Sequence, residues 1–204
     1  NQFKEYLEQH LELTEEDWSF IKEKLKSGKA SKGTILTRTD SIENKLYFIG
    51  NGIFRLYFEA ENKDITMNLG FPGSFISSYS SFLTQLESEF ILESMTDTEF
   101  IFLTKEDMTE LYHTTSCGNQ LGLIFTEGNF LYLSKRETDF LVKSPTERYL
   151  DLFDEQPRLI QEIPQKYLAS YIGITPQALS RIRAKLEVVI NNPLNAVRSL
   201  CRSQ

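Results

Sequence analysis

The stretch YLASYIGITPQALSRIRAKL, Tyr167 to Leu186, constrains this chain more than any other. Apolar Leu168, Ile172, Ile174, Leu179, Ile182 and Leu186 recur at helical steps on both sides of Gly173. The pattern predicts two short helices joined by a turn. Ala169 is small enough to let the second helix approach, and Gly173 supplies a left-handed backbone at the turn without steric cost. Thr175 is placed to cap the second helix, and Pro176 suits its first turn. Leu179, Ile182 and Leu186 share one stripe. The opposite face carries Gln177, Ser180, Arg181, Ala184 and, at its edge, Lys185. Arg183 falls toward the packed side and reaches the rim. An αα-hairpin buried in a core would explain the stripe but not the basic outer face. From Ile163 to Leu186 the charged residues are Lys166, Arg181, Arg183 and Lys185, with no acid among them. Such a face suits the major groove: Arg181 can pair with guanine and Gln177 with adenine, while Ser180 and Lys185 suit phosphates.

The formal net charge of −7 looks wrong for a DNA-binding chain, but it is unevenly distributed. Residues 1–140 hold 13 Lys and Arg against 23 Asp and Glu, a balance of −10, whereas residues 141–204 hold 9 against 6, a balance of +3. Two domains with different partners are expected, and the acidity belongs to the first. Cys117 and Cys201 have neither metal-ligand spacing nor a disulfide framework, so reduced thiols and a cytoplasmic location are expected. No apolar run approaches the roughly 18 residues of a membrane span. NQFKEYLEQH is amphipathic and charged, unlike a signal peptide.

Upstream, LTEEDWSFIKEKLKSG reads as a helix opened by Thr14 and Asp17 and closed by Leu25 and Gly28. From Gly33 to Phe102, TILTRT, KLYFIG, GIFRLYFE, DITMNLG, EFILES and TEFIFLT are short β-rich runs. Their spacing predicts a small antiparallel barrel or sandwich, with Gly50-Asn51-Gly52 as a hairpin turn. TKEDMTELY gives a short capped helix. Residues 116–143 read as one long helix whose apolar band, from Leu121 to Leu141, is too wide to bury on one side. One side can pack on the β domain and the other on a partner helix, which predicts a dimer; a single helix buried in its own domain is the alternative. Ser144, Pro145 and Glu147 then start a helix that Pro157 ends. The expected architecture is α+β: a β domain over residues 1–115, a dimerisation helix over 116–143 and a helix-turn-helix domain over 144–204.

IPQKYLASYIGITPQALSRIRAKL resembles the helix-turn-helix of the Crp/Fnr family of bacterial transcription regulators. The layout over residues 10–186 is similar too: an N-terminal helix, a β-roll of cyclic-nucleotide-binding type, a long dimerisation helix, then a winged helix. The resemblance implies a homodimeric transcription regulator that recognises a near-palindromic operator and recruits or blocks RNA polymerase. By position it implies that Pro176, Gln177 and Arg181 read the groove. The family's best-known member has arginine and glutamate where Pro176 and Gln177 stand, so its operator does not transfer. After Leu186 the family continues into a wing; EVVINNPLNAVRSLCRSQ offers one β-like run, Val188 to Ile190, and leaves a wing over residues 187–204 open.

The roll departs from the family where a cyclic nucleotide would bind. The family's cassette resembles Gly-Glu followed later by Arg-Ser or Arg-Thr. In GSFISSYSSFLTQLESEFI, Ser77 and Ser78 stand at the first pair and Ser88 and Glu89 at the second. A carboxylate takes the place of the phosphate-binding arginine, and Asp64 to Thr104 contains no Lys or Arg. No response to cyclic AMP or cyclic GMP is therefore expected, although backbone nests could hold an anion. Residues Ser77 to Phe82 read as a surface helix with a few core contacts; an uncharged ligand against them is the alternative. No cofactor or metal is expected: an iron–sulfur cluster needs about four thiolates and a haem needs an axial ligand, for which His113 is a lone candidate. No nucleophile–base motif or phosphate-binding glycine loop points to an enzyme. The competing reading is a ligand-sensing or protein-interaction module whose DNA binding has decayed.

Overall fold

The computed structural model describes residues 2–61 and 63–190, with side chains described as far as residue 187. The chain divides into two compact units, residues 1–139 and 140–204.

The first unit opens with α1 (Gln2–His10) and α2 (Glu15–Lys24). Thr14 caps α2 by accepting a hydrogen bond from the Asp17 backbone N–H. The strands follow: β1 (Lys26–Ala30), β2 (Ile35–Thr37), β3 (Lys45–Asn51), β4 (Phe54–Ala60), β5 (Lys63–Gly70), β6 (Phe75–Ile76), the short helix α3 (Tyr79–Thr84), then β7 (Ile91–Ser94) and β8 (Thr98–Thr104). They form two four-stranded antiparallel sheets, ordered β1-β8-β3-β6 and β2-β7-β4-β5. Phe54 and Leu56 from one sheet meet Tyr47, Ile49, Ile76 and Phe100 from the other, so the core of the roll lies between them. On the outer side of the first sheet, Leu46, Phe48 and Leu103 pack with Phe3, Leu7 and Ile21 of the N-terminal helices. Met108 and Leu111 of α4 (Lys105–Thr114) and Leu121 and Phe125 of α5 (Gly118–Val142) complete this second core. The mixed α+β architecture is thus helices on a two-sheet roll.

Three local expectations change. Gly50-Asn51-Gly52 is not a hairpin: Gly50 and Asn51 end β3, Gly52 is a bend, and β3 and β4 belong to different sheets. The chain crosses from one sheet to the other there; Gly52 has φ +87°, and a Cβ would lie 2.6 Å from the Asp97 carbonyl oxygen. The true hairpin joins β4 to β5, with Ala60 opposite Lys63. Gly28 does not end α2, whose C-cap is Leu25, but lies within β1, a strand earlier than the expected start at Gly33. That strand carries no apolar alternation; Gly28 pairs with Phe100, whose ring occupies the space a side chain would need.

In the second unit, α6 (Pro145–Glu155) starts with a complete capping box between Ser144 and Glu147. It is followed by α7 (Pro157–Glu162), α8 (Gln165–Tyr171) and α9 (Pro176–Ile190). Tyr149, Leu152, Leu159, Ile163, Leu168, Ala169, Ile172 and Leu179 form the buried interior. The β-like run expected at Val188–Ile190 is instead the end of α9. Extending a formed helix fixes one residue per hydrogen bond, so a preference of a few tenths of a kcal/mol in β-branched residues does not stop it. The remaining residues of the expected wing, and Cys201, lie outside the described residues.

Candidate nucleic-acid interface

The turn between α8 and α9 has the geometry its residues require. Gly173 is left-handed at φ +76°. Its N–H donates to the Ser170 carbonyl at 3.1 Å, and the Ile174 N–H donates to the Ala169 carbonyl at 2.9 Å. These two bonds are a Schellman ending, which satisfies the last carbonyls of α8 and sets the direction of α9. A Cβ on Gly173 would overlap the Phe140 ring, over which the Arg148 guanidinium lies at 4.6 Å. Arg148 also donates from Nε to the Ile172 carbonyl at 3.1 Å. Gly173→Ala should therefore cost at least the roughly 1–2 kcal/mol of a left-handed non-glycine residue. Urea unfolding followed by circular dichroism would show this as a lower midpoint.

Thr175 caps α9: its Oγ1 accepts from the Ala178 N–H at 3.2 Å. Leu179 is fully buried, and Ile182 and Leu186 are half-buried. The opposite face is as expected from periodicity: Thr175, Pro176, Gln177, Ser180, Arg181, Ala184 and Lys185 are all exposed. Arg183 has a different task. Its Nε donates to the Tyr149 hydroxyl at 3.0 Å and its Nη2 to the Ile160 carbonyl at 3.4 Å, so it fastens α9 to α6 and α7. The arginine with a structural role and the arginine presented outward are two residues apart.

One residue at this surface has no signal in the sequence. Gln165, the first residue of α8, reaches across to α9 and donates from Nε2 to the Pro176 carbonyl at 3.0 Å and to Ser180 Oγ at 2.6 Å.

The four residues placed at the cassette of the roll do not stay together. Ser77, Ser78 and Ser88 are buried, whereas Glu89 is exposed. Ser88 Oγ lies 2.7 Å from Ser78 Oγ and 2.7 Å from the Phe90 carbonyl oxygen, and Ser77 Oγ donates to the Lys45 carbonyl at 2.9 Å. The stretch includes the short helix α3, exposed at Ser80, Leu83 and Thr84 and held to the core by buried Ser81 and Phe82, with Ser81 Oγ accepting from the Glu43 N–H at 2.9 Å. The serines thus hold the cassette shut on itself. The Glu43 carboxyl nearby is pushed up by burial, opposed by the hydroxyl of Thr37. Between the sheets, Tyr47, Phe54 and Phe100 pack ring against ring at centroid distances of 5.4–6.1 Å.

The roll does hold an arginine, upstream of the stretch that lacks one. Arg55 on β4 is completely buried. Its guanidinium lies 3.3 Å from Asp64 and 3.7 Å from Glu93, its Nε donates to Thr66 Oγ1 at 2.9 Å, and it stacks 3.9 Å over the Tyr57 ring. Two carboxylates more than neutralise it. His113 is exposed in the last turn of α4. Among the described residues no group of three or more His, Cys, Asp or Glu is arranged to hold a metal, and no helix is long and apolar enough to cross a membrane.

Solved structures similar over most of the chain include transcription regulators. A regulator assigned to the crp/fnr family from Eubacterium rectale is 17% identical and matches with a TM-score of 0.67 over 90% of this chain and 88% of its own. FixK2 from Bradyrhizobium japonicum is 14% identical, with a TM-score of 0.70 over 80% of this chain and 85% of its own. The chain has the Crp/Fnr fold. CLP from Xanthomonas campestris, a c-di-GMP-responsive global regulator, is similar at 15% identity and a TM-score of 0.63, over 86% of this chain and 92% of its own. No family model matches the sequence, and neither does any curated protein. In this Crp/Fnr fold, α8 and α9 occupy the C-terminal unit and the closed cassette lies in the roll.

Proposed function

We propose that this chain is a sequence-specific DNA-binding transcription regulator that works as a homodimer and does not respond to cyclic AMP or cyclic GMP. The outer face of α9 carries the proposal: Gln177, Ser180, Arg181 and Lys185 are exposed behind a capped N-terminus, with no Asp or Glu from Ile163 to Leu186. Arg181 and Gln177 reach base edges, and Lys185 reaches phosphate. A near-palindromic operator follows from two such helices set about 34 Å apart by a two-fold axis.

The helix α5 supports the dimer. Leu121 and Phe125 are buried in the roll unit, while Leu123, Phe130, Leu131 and Leu133 are 54%, 67%, 66% and 45% exposed. At 100° per residue, Leu123 and Phe130 lie within about 20° of each other, flanked by Leu131 and Leu133, and the buried pair lies opposite. A helix apolar on two opposite faces needs two partners. The dimerisation segment is 116–143, between a roll over 1–115 and a DNA-binding domain over 144–204.

The mutually bonded serines, and the absence of any Lys or Arg from Asp64 to Thr104, support the absence of a nucleotide response, since a cyclic phosphate would find no charged donor there. Selection from a random duplex library tests the DNA reading; failure to enrich any sequence overturns it. Titration calorimetry with cyclic AMP and cyclic GMP tests the other part. No heat of binding is expected at nucleotide concentrations up to the millimolar range, and micromolar affinity for either would overturn it.

A further inference from the structure

We infer that Gln165 is a positioning residue that sets Ser180 as a hydrogen-bond donor toward DNA. This rests on the DNA-binding reading above and assigns a direction to one of its contacts. The amide orientation of Gln165 follows from its neighbours. An atom 3.0 Å from the Pro176 carbonyl oxygen must carry hydrogen, so it is the nitrogen, and the same nitrogen lies 2.6 Å from Ser180 Oγ. A side-chain amide nitrogen has two N–H groups, and here both are used on α9.

A serine hydroxyl both donates and accepts. The Gln165 bond uses one of the two acceptor lone pairs of Ser180 on the protein side and fixes where the hydroxyl hydrogen cannot point. Its own hydrogen then points away from that amide. Among the described residues no protein acceptor takes it, although serine and threonine hydroxyls elsewhere in helices of this chain do donate to the carbonyl four residues earlier, as Thr126 does to Gly122 at 2.9 Å. Ser180 is exposed and lies one turn along α9 from Pro176, beside Arg181. It is therefore presented to the groove as a donor. It selects an acceptor atom: a phosphate oxygen, or a base-edge acceptor such as guanine N7 or O6, adenine N7 or thymine O4.

The test is a double-mutant cycle on the full-length chain, with affinities for the selected operator measured by fluorescence anisotropy at fixed salt. Gln165→Ala should weaken binding about three- to tenfold, the range of one neutral hydrogen bond. Ser180→Ala should do the same, and Gln165→Ala in the Ser180→Ala background should cost little more, because Gln165 acts through Ser180. Thermal melting of each variant separates this from unfolding. A purely structural glutamine would cost the same in both backgrounds, and that result overturns the inference, as does a Ser180→Ala variant with undiminished affinity. Operators changed at single positions separate the two acceptor sources. A loss uniform across sequences assigns the phosphate, and a loss confined to one base pair assigns the base edge. If the unmodified chain selects no DNA, the DNA reading itself has failed; if it binds and Arg181→Ala weakens it while the cycle shows no coupling, only the Gln165 assignment has failed.

Discussion

Arg181→Ala is expected to lower affinity for the selected operator by about ten- to a hundredfold, the equivalent of one bidentate contact to guanine. Arg181 is exposed on α9, and among the described residues its one hydrogen bond is a long one, 3.4 Å from Nε to the Gln177 carbonyl. Little of the fold depends on it, so thermal stability should hardly change. The loss should be concentrated at one base pair per half-site, where the variant becomes indifferent to sequence. Lys185→Ala gives the contrast: a uniform weakening across sequences and a salt dependence shallower by about one counterion. Equal affinity of Arg181→Ala and the unmodified chain for selected DNA would show that α9 does not read the groove. The acidity of the chain does not oppose this. Residues 1–140 carry the −10, and at physiological salt exposed charges are screened beyond about 8 Å.

In the proposed α5 dimer, Phe130→Asp should convert dimer to monomer, raising the dissociation constant at least a hundredfold, on the order of the desolvation cost of a buried carboxylate. Phe130 is 67% exposed in the single chain and stands on the apolar face of α5 opposite the buried Leu121 and Phe125. In a two-fold interface each copy would bring a carboxylate to the same apolar seam, where desolvation costs several kcal/mol per ion. Sedimentation equilibrium reads the mass directly. The variant should still fold, because Phe130 is absent from the core of the roll unit. It should bind isolated half-sites but lose the preference for a palindrome. A dimeric mass for Phe130→Asp would place the dimer contact elsewhere.

Much of the site was legible because its residues obey local rules. Thr175 caps, Gly173 turns left-handed and Leu179 is buried, each for reasons contained within a few neighbours in sequence. The six main strands were legible from β-branched and aromatic runs. β1 was missed because KSGKA has neither; it is a strand because β8 pairs with it and the Phe100 ring covers Gly28. The hairpin at Gly50-Asn51-Gly52 was misassigned because a glycine turn looks the same whether the chain returns to its own sheet or crosses to another. Which cassette serines would be buried was not legible in the sequence; their burial is tolerated because the hydroxyls bond to one another and to backbone carbonyls.

What the sequence determined by itself is the set of features with short range. These are the helix-turn-helix and its outward face, the basic character of the second unit against the acidic first, and the missing arginine between Asp64 and Thr104. Helical periodicity, capping chemistry and formal charge are all readable within about one helical turn of a residue. Only the tertiary structure decided which polar groups meet. It buried Arg55 against Asp64 and Glu93, separated Glu89 from the three serines, gave Arg183 to Tyr149 while leaving Arg181 outside, and brought Gln165 to Ser180 across fifteen positions. A hydrogen bond needs its partners within about 3 Å, and that proximity is set by how helices and sheets pack, which no local pattern encodes.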